Sequence, residues 1–224
     1  MPKLTVEVKE ARRSHILAAA LRSFARRGYY ATTIDAIAAE AGVSKGAPYV
    51  YFDSKEELFR ELYARWDCGL NEQIEAALAG LEESERRSPR RMLEVALITV
   101  GAHVRENADL CRVVIEVETQ AAYLDAVAET VRASQADSLA RLEELIEQGK
   151  ACGEWPANTD ASLHARLILA AINGLMAQWH LQPGSFSWAQ IARLLARAWT
   201  PPGAHEGPGP ARRRLPGGGG GRAV

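Results

Sequence analysis

The chain has 224 residues, of which 47% are hydrophobic and 25% are charged, a composition typical of globular proteins and unlike that of disordered or fibrous chains. Its three cysteines, Cys68, Cys111 and Cys152, are far apart, and no run reaches about 18 apolar residues, so we expect no disulfide framework, structural zinc site or membrane span. The first 50 residues carry eight Lys/Arg and four Asp/Glu, whereas residues 51–200 carry fifteen and twenty-three. This asymmetry favours a polyanion-binding head on an acidic body, although charge blocks are also typical of solvated faces.

Helical periodicity dominates the chain, and no window alternates as a strand does. The first helix is predicted over residues 10–27, where apolar side chains recur three and four positions apart. Either Thr32 or Thr33 caps a short second helix over 34–41. A third short helix is predicted over 44–52, after a glycine that ends the second.

A fourth helix begins at Ser54, which forms an S-x-x-E capping box with Glu57, and runs to about Leu81. The rest of the body is also predicted to be helical, with ends at Ser, Thr, Gly and Pro residues. The predicted body helices are one beginning at Pro89, then 110–117, 124–150, 160–182 and 187–199. From Pro201 the chain reads PPGAHEGPGPARRRLPGGGGGRAV, which cannot bury enough apolar surface to fold, so a disordered tail is expected.

The segment TTIDAIAAEAGVSKGAPYVYF places two short helices around a turn at Gly42, a pattern typical of a helix-turn-helix. In that motif the second helix enters the DNA major groove with its N-terminus first. Ser44 caps this helix and leaves backbone N–H groups for a phosphate, and Lys45 can reach a base edge or a phosphate. Because Gly46 and Ala47 lack bulk, they let the helix approach the bases closely.

Hydroxyl and ammonium groups around this helix suit contacts with the phosphate backbone. Tyr49 and Tyr51 carry hydroxyls on rigid rings, and Lys55 adds a cation on the first turn of the next helix. Two threonines place hydroxyls and amides at another helix N-terminus. The predicted DNA-binding residues are therefore Thr32, Thr33, Ser44, Lys45, Gly46, Ala47, Tyr49, Tyr51 and Lys55.

Residues 16–63 resemble the DNA-binding domain of the TetR family of bacterial transcriptional regulators. The resemblance rests on the combination of G-Y-x-A-T-T, I-A-x-x-A-G-V-S-K-G, Y-x-Y-F and S-K-E-E-L. It departs from the family at Pro48, where members commonly have an aliphatic residue, and we expect this proline to tighten or re-aim the recognition helix rather than abolish DNA binding.

The resemblance implies an all-α protein with three parts. An N-terminal three-helix helix-turn-helix domain is expected over 10–65, a larger helical ligand-binding and dimerisation domain over 66–200, and a disordered C-terminal tail over 201–224. The family also implies a cytoplasmic homodimer that binds double-stranded DNA at a palindromic operator. A repressor released by a small hydrophobic effector is the expected function, with no enzymatic activity, cofactor or metal.

The helices over 160–182 and 187–199 have more apolar residues than one body face can bury, so they are predicted to form the dimer interface. A single larger monomer core is the alternative. The resemblance further implies a pocket inside the body, where Glu116 and Glu118 could attract a cationic ligand or simply lie on a solvated face. The candidate ligand-binding residues are Val100, His103, Cys111, Asn173, Met176 and Trp179, each of which could instead be an ordinary core or interface residue.

Other functions have weaker support in the sequence. The five histidines form no H-E-x-x-H spacing, and no G-x-S-x-G motif or phosphate-binding glycine loop occurs, so an enzyme is not indicated. An activator of the same fold remains open. So does a regulator that acts through protein partners, and a test of salt-dependent, sequence-selective DNA binding separates that case from the expected one.

Overall fold

A computed structural model describes residues 5–120 and 125–197, and within these ranges the chain forms nine α-helices and one 3-10 turn. The all-α expectation is confirmed. None of the helices in the described ranges is long and apolar enough to cross a membrane. The helices are α1 (Val6–Arg27), α2 (Ile34–Ala41), α3 (Lys55–Ala79), α4 (Glu83–Arg86), α5 (Pro89–Glu106), α6 (Ala108–Gln120), α7 (Asp125–Ala151), α8 (Ala161–Leu181) and α9 (Trp188–Arg197), with the 3-10 turn at Pro48–Val50.

The predicted helix boundaries differ from the observed ones mainly at helix starts. The first helix begins at Val6 rather than at residue 10, because the Thr5 side chain accepts a hydrogen bond from the Val8 N–H and caps it. The short α4 was not predicted, and α6 is longer at both ends than the predicted range 110–117. The predicted start of the seventh helix at 124, the end of the ninth at 199 and the tail from 201 all lie outside the described residues.

Polar contacts fix α2 against α1. Arg22 Nε and Arg26 Nη1 donate to the two carboxylate oxygens of Glu40 at 3.0 and 3.1 Å. The imidazole Nε2 of His15 lies 2.8 Å from the carbonyl oxygen of Ala41, at the end of α2. Because these contacts join the middle and the C-terminal part of α1 to one end of α2, they hold the crossing angle on which a helix-turn-helix depends.

The turn after α2 has the geometry that the sequence predicted. Gly42 has φ +65°, a left-handed conformation that favours glycine. Its N–H donates to the Ala39 carbonyl at 3.1 Å, and the Val43 N–H donates to the Ala38 carbonyl at 3.0 Å. This pair of bonds is a Schellman motif, which satisfies the last carbonyls of α2 and redirects the chain toward the recognition segment.

The third helix predicted over 44–52 is wrong as an α-helix. Residues 44–47 form a turn in which the Ala47 N–H donates to the Ser44 carbonyl at 2.9 Å, and a 3-10 turn follows at Pro48–Val50. The cause is Pro48, which has no N–H to make the α-helical bond to Ser44, so the chain uses the tighter i to i+3 pattern. We call residues 44–52 the recognition segment.

The long helix α3 belongs to two parts of the fold at once. Its first half buries Leu58, Phe59 and Leu62 against α1 and α2, while Trp66 is buried in the same cluster as Val100 of α5. The helix runs without interruption across the boundary predicted between residues 65 and 66. The N-terminal helices and part of the body therefore share one hydrophobic core.

The far end of the body has a second, smaller core between α5, α7, α8 and α9. Helices α5 and α9 approach closely at Gly101, where an added Cβ would lie 2.2 Å from Trp188 Cγ. Trp155 and Ile168 are buried in this second core. Ile172 packs against both cores, so α8 joins them.

We expect Gly42→Ala to lower the free energy of unfolding by about 1 kcal/mol, because a Cβ is strained at a left-handed backbone position. The space itself is open, since no atom lies within 4 Å of the added Cβ. Urea unfolding would measure the loss. Gly46→Ala is the matched control, because this glycine also has open space around it but lacks a positive φ. Equal stability of the two variants would contradict the role of the Gly42 turn.

Candidate DNA-binding surface and ligand cavity

Most of the predicted DNA-binding residues lie together on one exposed surface. Thr33, Ser44, Lys45, Gly46 and Tyr49 are exposed. The exposed fraction of Tyr49 is 55%, a large value for an aromatic side chain. The chain therefore presents small groups, a cation and a phenol hydroxyl side by side, as the sequence predicted.

Thr33 and Ser44, both predicted to cap helices, differ in the hydrogen bonds that they make. Thr33 caps α2 by accepting a hydrogen bond from the Ala36 N–H at 3.2 Å, so of the two threonines considered it is the one that caps. Ser44 makes no comparable bond in the described structure, because the 3-10 turn begins after Ala47. The predicted capping role of Ser44 is therefore wrong, although its exposed hydroxyl remains available to DNA.

Lys45 is already paired within the protein. Its ammonium lies 2.8 Å from the Asp35 carboxylate of α2, and both side chains are mostly exposed. This hydrogen bond, with the Asp35 charge, raises the pKa of Lys45 above its ordinary value, so the side chain is fully charged at neutral pH. Exposed pairs of this kind contribute little to stability, so the ammonium can exchange Asp35 for a phosphate or base at small cost.

Two predicted DNA contacts are committed to internal bonds instead. Thr32 is buried, and its hydroxyl donates to the carbonyl oxygens of Gly28 and Ser23 at 2.7 and 3.2 Å. Lys55 is half-buried, and its ammonium donates to the Tyr29 carbonyl at 3.1 Å and lies 4.5 Å from the centre of the Tyr29 ring. These side chains hold the turn after α1 in this structure, and their direct contact with DNA remains a prediction.

The other two predicted DNA-binding residues of the recognition segment, Ala47 and Tyr51, are less accessible. Tyr51 is half-buried against the main core, and Ala47 is also half-buried. Val50 and Tyr30, which the sequence analysis does not single out, are exposed by 75% and 43%. Val50 follows Tyr49 in the chain, and an apolar side chain at this position would suit contact with a thymine methyl if the segment binds DNA.

Helix α6 is tied to the end of α1 by two polar contacts. The Tyr29 N–H lies 3.0 Å from both carboxylate oxygens of Glu116. One turn earlier on α6, Arg112 Nη1 donates to the Ala25 carbonyl at 2.9 Å. The Nε of the same side chain donates to His180 Nε2 of α8, also at 2.9 Å. The Glu116 carboxylate thus accepts from a backbone N–H at the end of α1, and the Arg112 guanidinium donates to a backbone carbonyl there. The two contacts fix the end of α1 to the body.

A cavity of about 360 Å³ lies inside the body, between α3, α5, α6, α7 and α8. Residues of α3 from Tyr63 to Leu78 line its length, which at 1.5 Å rise per residue corresponds to roughly 20 Å. Most of the wall is aliphatic, with Leu70, Ile74 and Leu97 among its residues. The size and the apolar wall are those of a small-molecule site.

Three of the six predicted ligand-binding residues, Val100, Asn173 and Met176, line this cavity. The other three do not. His103 packs on the far side of Trp66, with ring centres 4.4 Å apart, and its ring hydrogen-bonds Gln73. Trp179 packs on Phe186, 5.7 Å between centres. Sequence spacing put these residues on the correct helices but could not say which face each helix turns to the cavity.

Cys111, the third, is wholly buried in the main core. Burial raises the pKa of its thiol to about 12, so this cysteine is protonated and behaves as a small apolar side chain. The described residues contain no group of His, Cys, Asp and Glu side chains that could hold a metal ion.

One end of the cavity is acidic. The Tyr63 hydroxyl donates to Glu118 at 2.7 Å, and the Ser134 hydroxyl donates to Asp67 at 2.8 Å. Burial is the main cause that raises the pKa of the Glu118 carboxyl, and the nearby Asp67 charge raises it further, while the Tyr63 hydrogen bond opposes both. Burial and the Glu118 charge in turn raise the pKa of Tyr63, which therefore remains a hydrogen-bond donor.

Comparison with known proteins gives two family matches. Residues 16–62 match the model described as bacterial regulatory proteins, tetR family. Residues 89–200, half of the chain, match the model described as BetI-type transcriptional repressor, C-terminal. The two matches fall on the helix-turn-helix region and on the helices around the cavity.

The chain is also similar in sequence to a curated relative and in fold to solved structures. The chain is 28% identical over 201 residues to the HTH-type transcriptional regulator AcrR of Shigella flexneri, an alignment that covers 86% of this chain and 89% of that protein. The fold superposes on FadR from Bacillus subtilis in complex with stearoyl-CoA with TM-score 0.70 and 19% identity, covering 82% and 95% of the two chains. It superposes on AibR in complex with isovaleryl coenzyme A and operator DNA with TM-score 0.67 and 22% identity, covering 84% and 97%.

We expect Glu118→Gln to raise stability at pH 8 by on the order of 1 kcal/mol, because glutamine still accepts the Tyr63 hydrogen bond without a buried charge. A carboxyl whose folded-state pKa is raised destabilises the fold above that pKa, and this cost declines as pH falls toward the unfolded-state pKa. The advantage of the variant should therefore shrink on acidification. Urea unfolding across pH measures it, with the exposed Glu129→Gln as control. A variant that is less stable at pH 8 would contradict this account of Glu118.

Proposed function

The chain belongs to the TetR family of bacterial transcriptional regulators, and we propose that it is a cytoplasmic homodimeric repressor that binds a palindromic operator and is released by a small hydrophobic molecule. The observation that carries the proposal is the position of α3. One end of this helix abuts the exposed recognition segment, and the other lines the cavity. A ligand in the cavity therefore contacts the same rigid element that positions the DNA-binding surface.

An apolar stripe along α8 supports the homodimer. Leu163, Leu167 and Leu181 are exposed by 53%, 47% and 83%, and Ala170 and Gly174 lie between them at helical spacing of three and four. Large exposed leucines on one helix face are unusual for a monomer, and small residues between them let a second helix approach closely. Leu194 on α9, exposed by 64%, is a further large apolar side chain on the surface of the last two helices.

A two-fold dimer explains how one short segment achieves specific binding. Isologous association places two copies of the recognition segment at a fixed separation, and such a pair matches two half-sites about one helical turn of DNA apart. Any change in that separation weakens binding to both half-sites together. The carbonyls of Tyr29 and Tyr30 are bonded to Lys55 at the start of α3, so a shift of α3 moves the turn after α1 with it.

The ligand must favour a state that does not fit the operator. A molecule that bound both states equally would shift nothing, so the proposed effector binds the cavity more tightly when α3 has moved. The repressor assignment draws on the C-terminal family match, whose description names a transcriptional repressor. A bound dimer would then block transcription until ligand binding releases it.

Fluorescence anisotropy with the DNA upstream of the protein's own gene, against a scrambled duplex in a salt series, tests the proposed function. The proposal predicts preference for the native duplex, with log affinity falling linearly against log salt as phosphate contacts release counterions. If the two duplexes bind equally well, the protein would next be used to select its preferred sequences from a pool of random duplexes. Failure of that selection to enrich any palindrome would overturn the proposal.

We expect the double variant Lys45→Ala, Tyr49→Ala to weaken operator binding at least about 30-fold, because each side chain contributes roughly 1–3 kcal/mol if it contacts DNA. Both side chains are exposed, so the dimer and its melting temperature should not change. Anisotropy and size-exclusion chromatography measure the two properties. Arg87→Ala, which removes an exposed cation paired with Glu83 at the end of α4, is the matched control. Undiminished operator affinity in the double variant would show that the recognition segment has been misassigned.

We expect the double variant Leu163→Glu, Leu167→Glu to be monomeric, because four glutamates would face one another across the proposed two-fold interface. Analytical ultracentrifugation measures the mass. Val6→Glu, at an apolar residue of α1 that is exposed by 83%, is the control and should leave the dimer intact. Dimers of unchanged affinity in the double variant would place the interface elsewhere.

A further inference from the structure

The cavity has an uneven distribution of charge along its length. Asp67 and Glu118 lie at the end nearest the DNA-binding helices, beside Tyr63. Leu78 lies at the other end of the cavity, about four turns of α3 after Tyr63, and the wall between is mainly aliphatic, with Glu75 as a further carboxylate near that end. A molecule that fills the cavity would therefore meet two carboxylates beside aromatic rings at one end and a mainly apolar wall along the rest.

The carboxylates of the wall outnumber its cations. Glu75 and Glu144 also line the cavity, whereas Arg141 is the cation among the described lining residues. Arg141 is exposed and lies two turns of α7 beyond Ser134, so it is remote from the acidic end. The net charge of the described wall is negative, and the cavity would attract a cation and repel an anion.

The acidic end has hydrogen bonds but no counter-ion. None of the ion pairs among the described residues involves Asp67 or Glu118. Glu118 accepts a hydrogen bond from Tyr63, and Asp67 accepts two, from the Ser134 hydroxyl at 2.8 Å and the Asn71 amide at 3.4 Å; all three donors are neutral. The buried Glu118 carboxylate in particular lacks a compensating charge, and a positive group placed beside it and Asp67 would be attracted to both.

Aromatic rings complete this end of the cavity. Tyr63 and Trp66 both line it on successive turns of α3, where their rings can lie beside a bound cation. Aromatic faces attract organic cations, and the attraction increases when water is excluded. Hydrogen-bonded carboxylates and two aromatic rings are a combination that suits a bulky, weakly hydrated positive group better than an inorganic ion.

We propose that the effector is an amphiphilic organic cation, whose positive group lies beside Asp67 and Glu118 and whose apolar body extends along α3 toward Leu78. The inference rests on the proposed function, because it names the chemical class of the ligand that the cavity takes. A cation at this end lies against Tyr63, within the half of α3 that packs on the DNA-binding helices. The positive group of the ligand therefore binds beside the part of α3 that packs on the DNA-binding helices, and a movement of this part would displace the recognition segment.

This ligand class differs from that of the two structural neighbours. FadR was solved with stearoyl-CoA and AibR with isovaleryl coenzyme A, both of which are anionic. Phosphate groups require Arg or Lys side chains, and the described wall of this cavity offers one Arg against four carboxylates. At 19% and 22% identity the neighbours share the fold, and the lining of this chain selects the opposite charge.

Three probes of similar shape and different charge test the inference. Isothermal titration would measure binding of tetraphenylphosphonium, uncharged triphenylphosphine oxide and tetraphenylborate to the full chain without DNA. We expect tetraphenylphosphonium to bind most tightly, the uncharged probe at least tenfold more weakly, and the borate most weakly of the three. Equal affinity for all three, preference for the anion, or no binding of the cation would overturn the inference.

Variants of the two carboxylates locate the charge recognition. Asp67→Asn and Glu118→Gln should each weaken tetraphenylphosphonium binding roughly tenfold, and should leave the uncharged probe within about twofold. Glu129→Gln, at an exposed residue that does not line the cavity, is the control and should bind all three probes as the wild type does. A uniform loss for charged and uncharged probes would mean a collapsed cavity. Unchanged cation affinity in the double variant that combines Asp67→Asn with Glu118→Gln would mean a different binding site, and both outcomes contradict the inference.

Failure of this inference can be distinguished from failure of the proposed function. The titrations contain no DNA, and the operator measurements contain no probe. Operator binding with no preference for the cation would overturn the ligand class and leave the regulator intact. Cation binding without sequence-selective DNA binding would overturn the regulator and leave the ligand class intact.

Discussion

The fold depends on α3 being one continuous helix that serves two packing surfaces. Its N-terminal half closes the core made by α1, α2 and the recognition segment, and its C-terminal half forms a wall of the cavity. A helix is stiff over this length, so neither half can move without the other. Because the main core extends from Ile16 to Trp188 without a break, the DNA-binding helices are not an independent unit loosely attached to the body.

A second connection runs through α6. This helix presents Glu116 and Arg112 to the end of α1, while Val114 and Glu118 on its other side line the cavity. The cavity is therefore in contact with two helices that both reach the turn after α1. Because both helices contact the cavity, ligand binding should shift the DNA-binding helices as a unit. Such a shift costs less free energy than a local distortion, since packed cores change between discrete states.

Local signals predicted the helix-turn-helix well, because each is decided within a few residues. Gly42 takes the left-handed conformation, and Thr33 and Ser54 cap the helices that follow them. Pro48 is the informative exception. The sequence predicts that this proline tightens or re-aims the segment but not that the α-helical pattern is lost, and the structure has a 3-10 turn at this position.

The cavity was harder to predict, because its lining depends on how long helices rotate against one another. Val100 and His103 are three residues apart on α5, yet one lines the cavity and the other packs behind Trp66. The residue types of Thr32 and Lys55 suit phosphate, and only the tertiary structure shows that both also donate hydrogen bonds to backbone carbonyls. The sequence indicates Glu118 as a carboxylate that could attract a cationic ligand. It does not indicate Asp67, because this residue is distant from Glu118 in the chain and only the fold brings both to one end of the cavity.

Coupling between the cavity and the DNA surface is the central claim, and thermodynamic linkage tests it most directly. The measurement is the affinity of the chain for tetraphenylphosphonium with and without saturating operator DNA. If α3 couples the two sites, operator DNA lowers the affinity for the cation, by the same factor by which the cation lowers the affinity for the operator. Identical affinity for the cation in the free and the DNA-bound protein would contradict the account.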